Sequence, residues 1–554
     1  MDESVKFEPL PVQLPRRRCD LRDFVQVHGV HDLSVFFMKT SLFGFLFDSG
    51  AGRIILHTVR KFSFCIRLLE GILRLNETLE GGIRVEKEII PITVDLSAEQ
   101  QTFEGWGTSL AWWANVVGGW STERRTEIVE KLYDAEKGLG LNIARYNIGG
   151  TKDEHDPYLH YGKAILSYQN EDRSWDWSRD ARQRSVAQQI REIAEQPIFE
   201  AFSNSPPWWM TCSYDPHAED GADGCTTGGL DGTGNLRVGS ETEFADYLTE
   251  TVKHFRDEWG VVFRTLAPFN EPVADWWKYR IARQEGAHIG PEQQQTVIRA
   301  VHAALAAKGL TETAISASDE SLVRMALETW QDFAPEVKEY VAQVNTHTYP
   351  DPEHDPLPLR DAVSADGKRL WMSEVGYENG QHPTVDPQSM DGVMPLARGI
   401  ARDLNDMRAE AWVYWQAVES DVSTWGLIFA PFEHNESEDY ALYKQYYALG
   451  NYSRFIRPGS VILRSGGAGS VAAFDPSRRR LVLVTLNDSD TESVHYRYRI
   501  EGRDFAASAS PIVVRAYRTT ADENLAQLDP LHGDGDGFVA EAIPGSVTTY
   551  VIDL

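Results

Sequence analysis

Cysteine is scarce in this chain of 554 residues: four occur, Cys19, Cys65, Cys212 and Cys225. No Cys-x-x-Cys pair and no His-x-x-x-His spacing is present, so the usual zinc frameworks are excluded and no metal or cofactor is expected. No apolar run reaches the roughly 20 residues that a membrane-crossing helix needs. Positive charge is also short, with 54 Lys and Arg against 83 Asp and Glu, a formal net charge of −29. That balance argues against nucleic acid or an anionic membrane as a partner, since both require a basic face. No G-x-G-x-x-G follows an early strand and no Walker-type loop occurs, so the common nucleotide-binding fingerprints are missing. No repeat of 20–50 residues is found.

The length suits one large domain with smaller units attached. The acidity is uneven: residues 1–90 hold 13 basic and 12 acidic side chains, and the remainder holds 41 and 71. An acidic body without a basic patch fits an enzyme acting on a neutral or cationic substrate, and equally a charge that only maintains solubility. Tryptophan is plentiful, 16 in all. Indole faces suit the C–H faces of sugar rings, and they also fill cores.

Residues 1–84 stand apart. The opening MDESVKFEPLPVQLPRRRCD is no signal peptide, whereas MKTSLFGFLF (38–47) begins like one and breaks off at Asp48. Two readings stand: translated non-coding sequence interrupting a secretion signal, or a genuine extension. Secretion is expected, with the signal disrupted. Cys212 and Cys225 flank a polar, Gly-rich loop that a local disulfide would restrain; two free thiols are the alternative. Sequons at Asn76, Asn435, Asn451 and Asn487 would permit glycosylation.

From about residue 89, strand-length apolar runs alternate with amphipathic helical stretches. The strands are predicted at 103–113, 140–149, 198–205, 261–271, 314–319, 341–349, 369–377 and 411–419. Helix starts are marked by Ser121, by a Ser240/Glu243 capping box and by Pro291; Gly309 marks a stop. Further helices are expected over roughly 388–408 and 437–449. Eight such units over about 350 residues predict an α/β fold, a (β/α)8 barrel over 97–450. After 451 the pattern turns to short alternating strands, predicting an antiparallel β-sandwich side domain over 451–554 that strand 85–96 joins.

Barrel enzymes carry their chemistry at the C-terminal strand ends. Glu271, in APFNEP, ends the fourth strand, and Glu374, in WMSEVGY, ends the seventh, across the barrel mouth. Two facing carboxyls suit glycoside hydrolysis, one as proton donor and the other as an ionised nucleophile whose charge raises the pKa of its partner. Asn270 is placed to hydrogen-bond a sugar 2-hydroxyl, or else is a turn residue before Pro272. With 83 acidic residues in the chain, it is their placement that singles out this pair.

The motifs FEGWGTSLAWWANVVGGW, SNSPPWWM, FNEP, SEVG and GNYSRFIRPG resemble glycoside hydrolase family 30, and within it the fungal endo-β-1,6-galactanase branch. The likeness covers about residues 85–554. It implies a retaining double displacement on a polysaccharide or oligosaccharide, without metal, with Glu271 as acid/base and Glu374 as nucleophile. Arg145 would hold Glu374 ionised, or serve a structural ion pair. Trp106, Asn204, His347, Tyr349 and Trp415 would line the subsite at the cleaved bond, with Trp208, Trp209, Trp276 and Trp277 as further platforms; packing within the barrel top is the alternative for each. The branch implies β-1,6-galactan side chains of arabinogalactan as substrate; a monomer is expected. The competing readings are other family specificities (β-1,6-glucan, xylan, glucosylceramide), an exo-acting arabinofuranosidase, and a non-catalytic carbohydrate-binding barrel.

Overall fold

The computed structural model describes residues 88–215, 217, 226–229, 234–377, 389–420, 425–431, 437–465, 467, 469–502 and 512–554. The expected features of residues 1–84 lie outside this set. Residues 87–554 form one compact unit.

The first strand, β1 (Ile89–Thr102), precedes eight short ones: β2 (Gly105–Ser109), β3 (Ile143–Asn147), β4 (Ile198–Phe202), β5 (Phe263–Ala267), β6 (Ala314–Glu320), β7 (Val341–His347), β8 (Arg369–Val375) and β9 (Ala411–Gln416). Strands β2 to β9 make a closed parallel barrel. Closure comes from β2 beside β9, with Trp106 opposite Trp412. Glycine permits the tight start of β2: a Cβ on Gly105 would meet Asn142 Oδ1 at 1.8 Å, and Gly105 sits at φ 144°. The (β/α)8 architecture is as the alternating pattern predicts.

The main apolar core lies between the strands and their helices, and inside the barrel a small apolar cluster of Ile143, Trp371, Ala411 and Val413 is joined by a polar network. Glu200 on β4 accepts from Arg145 Nε (2.9 Å), Thr265 Oγ1 (2.7 Å), Ser316 Oγ (2.8 Å), Asn345 Nδ2 (2.9 Å) and Gln343 Nε2 (3.1 Å). Five inward-pointing side chains from β3, β5, β6 and β7 thus converge on one buried carboxylate. Such a network holds its members in place because each buried polar group is paired.

The side domain is a ten-stranded sheet in which β1 lies between Val461–Ser465, antiparallel, and Val494–Glu501, parallel. It is antiparallel apart from that pair. The sheet curls over its own core: Tyr498 touches Phe538 on the adjacent strand and Tyr550 on a distant one, at ring separations of 5.0 and 5.7 Å.

Several local expectations change. Ser240 precedes the helix Glu241–Trp259 without a side-chain cap, and Glu243 pairs with Arg173. Over 437–449 the helix begins only at Lys444, after a two-residue strand, Ala441–Leu442. Asn451 and Asn487 are buried, with side-chain amides donating to Thr549 Oγ1 and to Ala542 O, so neither can carry a glycan in this fold. Asn76 and Asn435 lie outside the described residues. So does Cys225, the expected partner of exposed Cys212.

Candidate active site

Glu374 belongs to β8, and Glu271 lies in the turn after β5, so both carboxyls reach the C-terminal mouth of the barrel. The chain after β5 turns sharply. Glu271 adopts φ 49°, and its N–H donates to the carbonyl of Asp319, itself at φ 67°, over 2.8 Å. Left-handed backbone at two non-glycine residues costs on the order of 1–3 kcal/mol each and persists only where surrounding contacts hold it. Here the Val273 N–H adds to the hold by donating to Glu320 Oε2 at 3.2 Å.

One oxygen from each of Glu271 and Glu374 and a nitrogen of His347 all lie within 4.8 Å of one another. His347 Nδ1 sits between the carboxyls, 3.2 Å from Glu271 Oε1 and 3.4 Å from Glu374 Oε1. Tyr349 donates its hydroxyl to Glu374 Oε1 at 2.9 Å, and Trp276 Nε1 donates to Glu271 Oε2 at 3.1 Å. Beneath them Arg145 spreads its guanidinium over three carboxylates: Glu374 Oε2 (3.2 Å), Glu200 Oε1 (2.9 Å) and Asp319 Oδ2.

The electrostatics follow from this packing. Burial alone would lower the pKa of Arg145, yet Asp319, Glu200 and Glu374 outweigh it and hold the guanidinium charged. Burial likewise opposes charge on His347, but Glu374 and Asp319 outweigh it and raise its pKa to about 10. Asp319 is held well below the usual carboxylate range: burial works against it, and Arg145 and His347 prevail. Glu374 is pushed up to about 7 by burial and by Glu271, against the pull of His347 and Arg145. The sequence reading took Glu374 as the ionised partner, whereas burial moves its pKa into the neutral range.

The pair opens on a groove of about 610 Å³, lined also by Asn270, Trp112, Trp276, Trp415, Trp425, Lys163 and Gln416. Trp112 and Trp415 meet edge to face at 5.1 Å. Asn270 Oδ1 and Trp112 Nε1 are buried without partners among the described residues, which leaves an unpaired acceptor and an unpaired donor in the groove lining.

Of the residues singled out from sequence, Glu271, Glu374, Asn270, Tyr349, Trp415 and Trp276 line this groove, with His347 and Arg145 touching the carboxyls from below. Others lie elsewhere. Trp106 is fully buried on the outer side of the barrel, its Nε1 donating to Ile456 O at 2.8 Å and its ring against Tyr452, because its strand register pairs it with outward-facing Trp412. Trp208 packs on Tyr214 and under Lys152, and Trp209 under Arg173, where a turn after β4 carries them away from the mouth. Trp277 donates to the backbone of Glu271 at 2.8 Å, bracing the turn from behind. Asn204 is buried beside Asn147 and is absent from the groove lining. The sequence reading missed Asp319, Glu200 and Trp112. A carboxylate inside a strand, as in AISASDE, was the available signal for Asp319.

Comparison with known proteins adds the lineage. A family model for O-glycosyl hydrolase family 30 matches residues 89–429. An endo-beta-1,6-galactanase of Hypocrea rufa is 29% identical over 73% of this chain and 82% of its own length. A conserved exported protein of Bacteroides fragilis superposes with a TM-score of 0.68 at 21% identity, covering 83% of this chain and all of that one. The catalytic domain of a xylanase of the same family from Talaromyces cellulolyticus superposes with a TM-score of 0.63 at 18% identity, over 84% of this chain and all of the other. With a barrel, a carboxylate pair and a matching region that spans more than half its length, the chain belongs to O-glycosyl hydrolase family 30.

Proposed function

We propose that the chain is a retaining endo-glycoside hydrolase that cleaves β-1,6-galactan, with Glu374 as nucleophile and Glu271 as acid/base. The observation carrying the mechanism is the approach of the two carboxyls, within 4.8 Å at their nearest oxygens. Retaining enzymes hold their carboxyls ~5–5.5 Å apart, whereas inversion needs ~6.5–9.5 Å to admit a water.

The roles follow from the donors. Arg145 and Tyr349 both direct protons at Glu374, which stabilises its anion for attack on the anomeric carbon. Glu271 faces the groove from the opposite strand end, with Trp276 as its hydrogen-bond donor and Asn270 beside it. It donates a proton to the departing oxygen and later removes one from the incoming water. Likeness to the Hypocrea rufa galactanase supports the choice of β-1,6-galactan, and an action outside the cell fits a polymeric substrate. No helix among the described residues is long and apolar enough to cross a membrane.

The test is product analysis. Protein from residue 88 onward, offered β-1,6-galactan, β-1,6-glucan, xylan and glucosylceramide, is expected to release a ladder of galacto-oligosaccharides with β-configured new reducing ends. Release from glucan or xylan alone would overturn the substrate, monosaccharide alone would overturn endo action, and α-configured first products would overturn retention. Binding without any release would mark a carbohydrate-binding barrel.

A further inference from the structure

Asp319 closes β6 and touches most of what surrounds the carboxyl pair. Its carboxylate accepts from Arg145 Nη2 and from Ser373 Oγ at 2.6 Å, and Oδ1 lies 3.3 Å from His347 Nε2. Its carbonyl accepts the N–H of Glu271. His347 therefore lies in a line of groups: Asp319 at one ring nitrogen, both Glu271 and Glu374 at the other. The ring is fully buried, so solvent cannot supply its counter-charge.

We propose that Asp319 is a positioning residue that keeps His347 an imidazolium, so that one Nδ1–H is shared by Glu271 and Glu374. The inference rests on the hydrolase reading of the site. Negative charge passes between the carboxyls during double displacement: Glu374 loses its charge on forming the glycosyl bond, while Glu271 becomes a carboxylate on giving up its proton. A cation within 3.2 and 3.4 Å of the two serves whichever is ionised, without moving. It acts as a preorganised charge, with no reorganisation at the moment of reaction. A neutral imidazole could present an N–H to one carboxyl but would offer no fixed positive charge to either. Asp319 supplies the opposing charge that makes the buried cation tolerable. The other charged and titratable groups near the ring are Glu271 from the turn after β5, Glu374 from β8, Tyr349 beyond β7, Glu320 from β6 and, through Asp319, Arg145 from β3.

Two measurements test this. Nitrogen-15 spectra of the unaltered protein, with His347 assigned by difference from His347→Gln, should show both ring nitrogens protonated at about pH 8, well above the ordinary histidine range. A neutral ring there overturns the proposal, whatever the enzyme's substrate. Asp319→Asn then separates a charge role from a packing role. If the imidazolium is lost with Asp319, one of the two cations beside the carboxyl pair is gone, and both limbs of the kcat/KM profile should move alkaline by about one pH unit. The rate constant kcat should fall about a hundredfold with KM little changed. Limbs that stay in place, or move acid because the imidazolium survives, overturn the proposal. Loss of all activity in the unaltered protein, by contrast, counts against the hydrolase reading and leaves the spectral result to stand by itself.

Discussion

The Tyr349 hydroxyl donates to Glu374 over 2.9 Å, on the oxygen that also faces His347. Burial, then the charges of Glu374 and Glu271, keep this phenol far from ionisation, so it is a permanent donor. Tyr349→Phe deletes that donor and leaves the ring. The expected result is a loss of about 10- to 100-fold in kcat, with the acid limb of the pH profile shifted upward as the Glu374 anion loses support. An unchanged profile would show that the contact is not formed in solution.

Removing the nucleophile should be harsher and chemically informative. Glu374→Ala is expected to lower turnover by at least about 10⁴-fold, and azide should restore it by entering the emptied space. The product would be a glycosyl azide of inverted configuration, identified by NMR. Glu271→Gln should depend on the leaving group: activated aryl glycosides need little proton donation and should be cleaved far better than the natural linkage.

The tryptophans divide into those that serve the groove and those that serve the fold. Trp112→Ala, at the groove, should raise KM with a modest change in melting temperature. Trp106→Phe removes the donor to Ile456 O and leaves a buried carbonyl unpaired, at a cost of about 1–3 kcal/mol. Calorimetry should show the drop in melting temperature, and KM should not move.

Stability should decline as pH rises. Burial raises Glu285 and Glu374 to about 7 and Glu320 to about 8, from an ordinary 4.5. Each binds its proton more tightly when folded, so its contribution is lost as pH climbs from the unfolded value through the folded one. His347 works in the same direction between 6.5 and about 10, since carboxylates outweigh its burial. The melting temperature should therefore fall between about pH 5 and about pH 8, each group steepening the slope by up to about 1.4 kcal/mol per unit. Glu285→Gln, which keeps a side chain between Asn147 and Thr151, should flatten that slope. A melting temperature that rises over the interval would contradict the burial of these acids.

How much of this was legible beforehand depends on what each residue had to signal. The eight strand–helix units were readable because apolar periodicity reports directly on packing against helices. Glu271 and Glu374 stood out because both were expected at strand ends of a barrel, where position carries chemical meaning; the structure puts Glu374 in β8 and Glu271 in the turn after β5. Trp106 was misplaced because strand ends were treated as equivalent, whereas strand residues alternate between the two faces. Trp112, which does line the groove, lies beyond the strand, in a turn whose direction no periodicity encodes. The polar centre around Glu200 was illegible for a different reason. Thr265, Ser316, Gln343 and Asn345 sit one per strand, far apart in the chain, and only closure of the barrel turns them into one network.

Strand β1 has a consequence for how the molecule can be made and divided. It enters the side sheet ahead of the whole barrel and waits between two strands that the ribosome adds more than 350 residues later. Until those arrive, its edges are open to wrong pairings, so nascent chains should lean on chaperones at this stage. Excising a lone barrel would, for the same reason, take an interior strand out of its sheet if β1 went with it, and would leave Trp106 and Tyr452 exposed if the cut fell nearer the barrel.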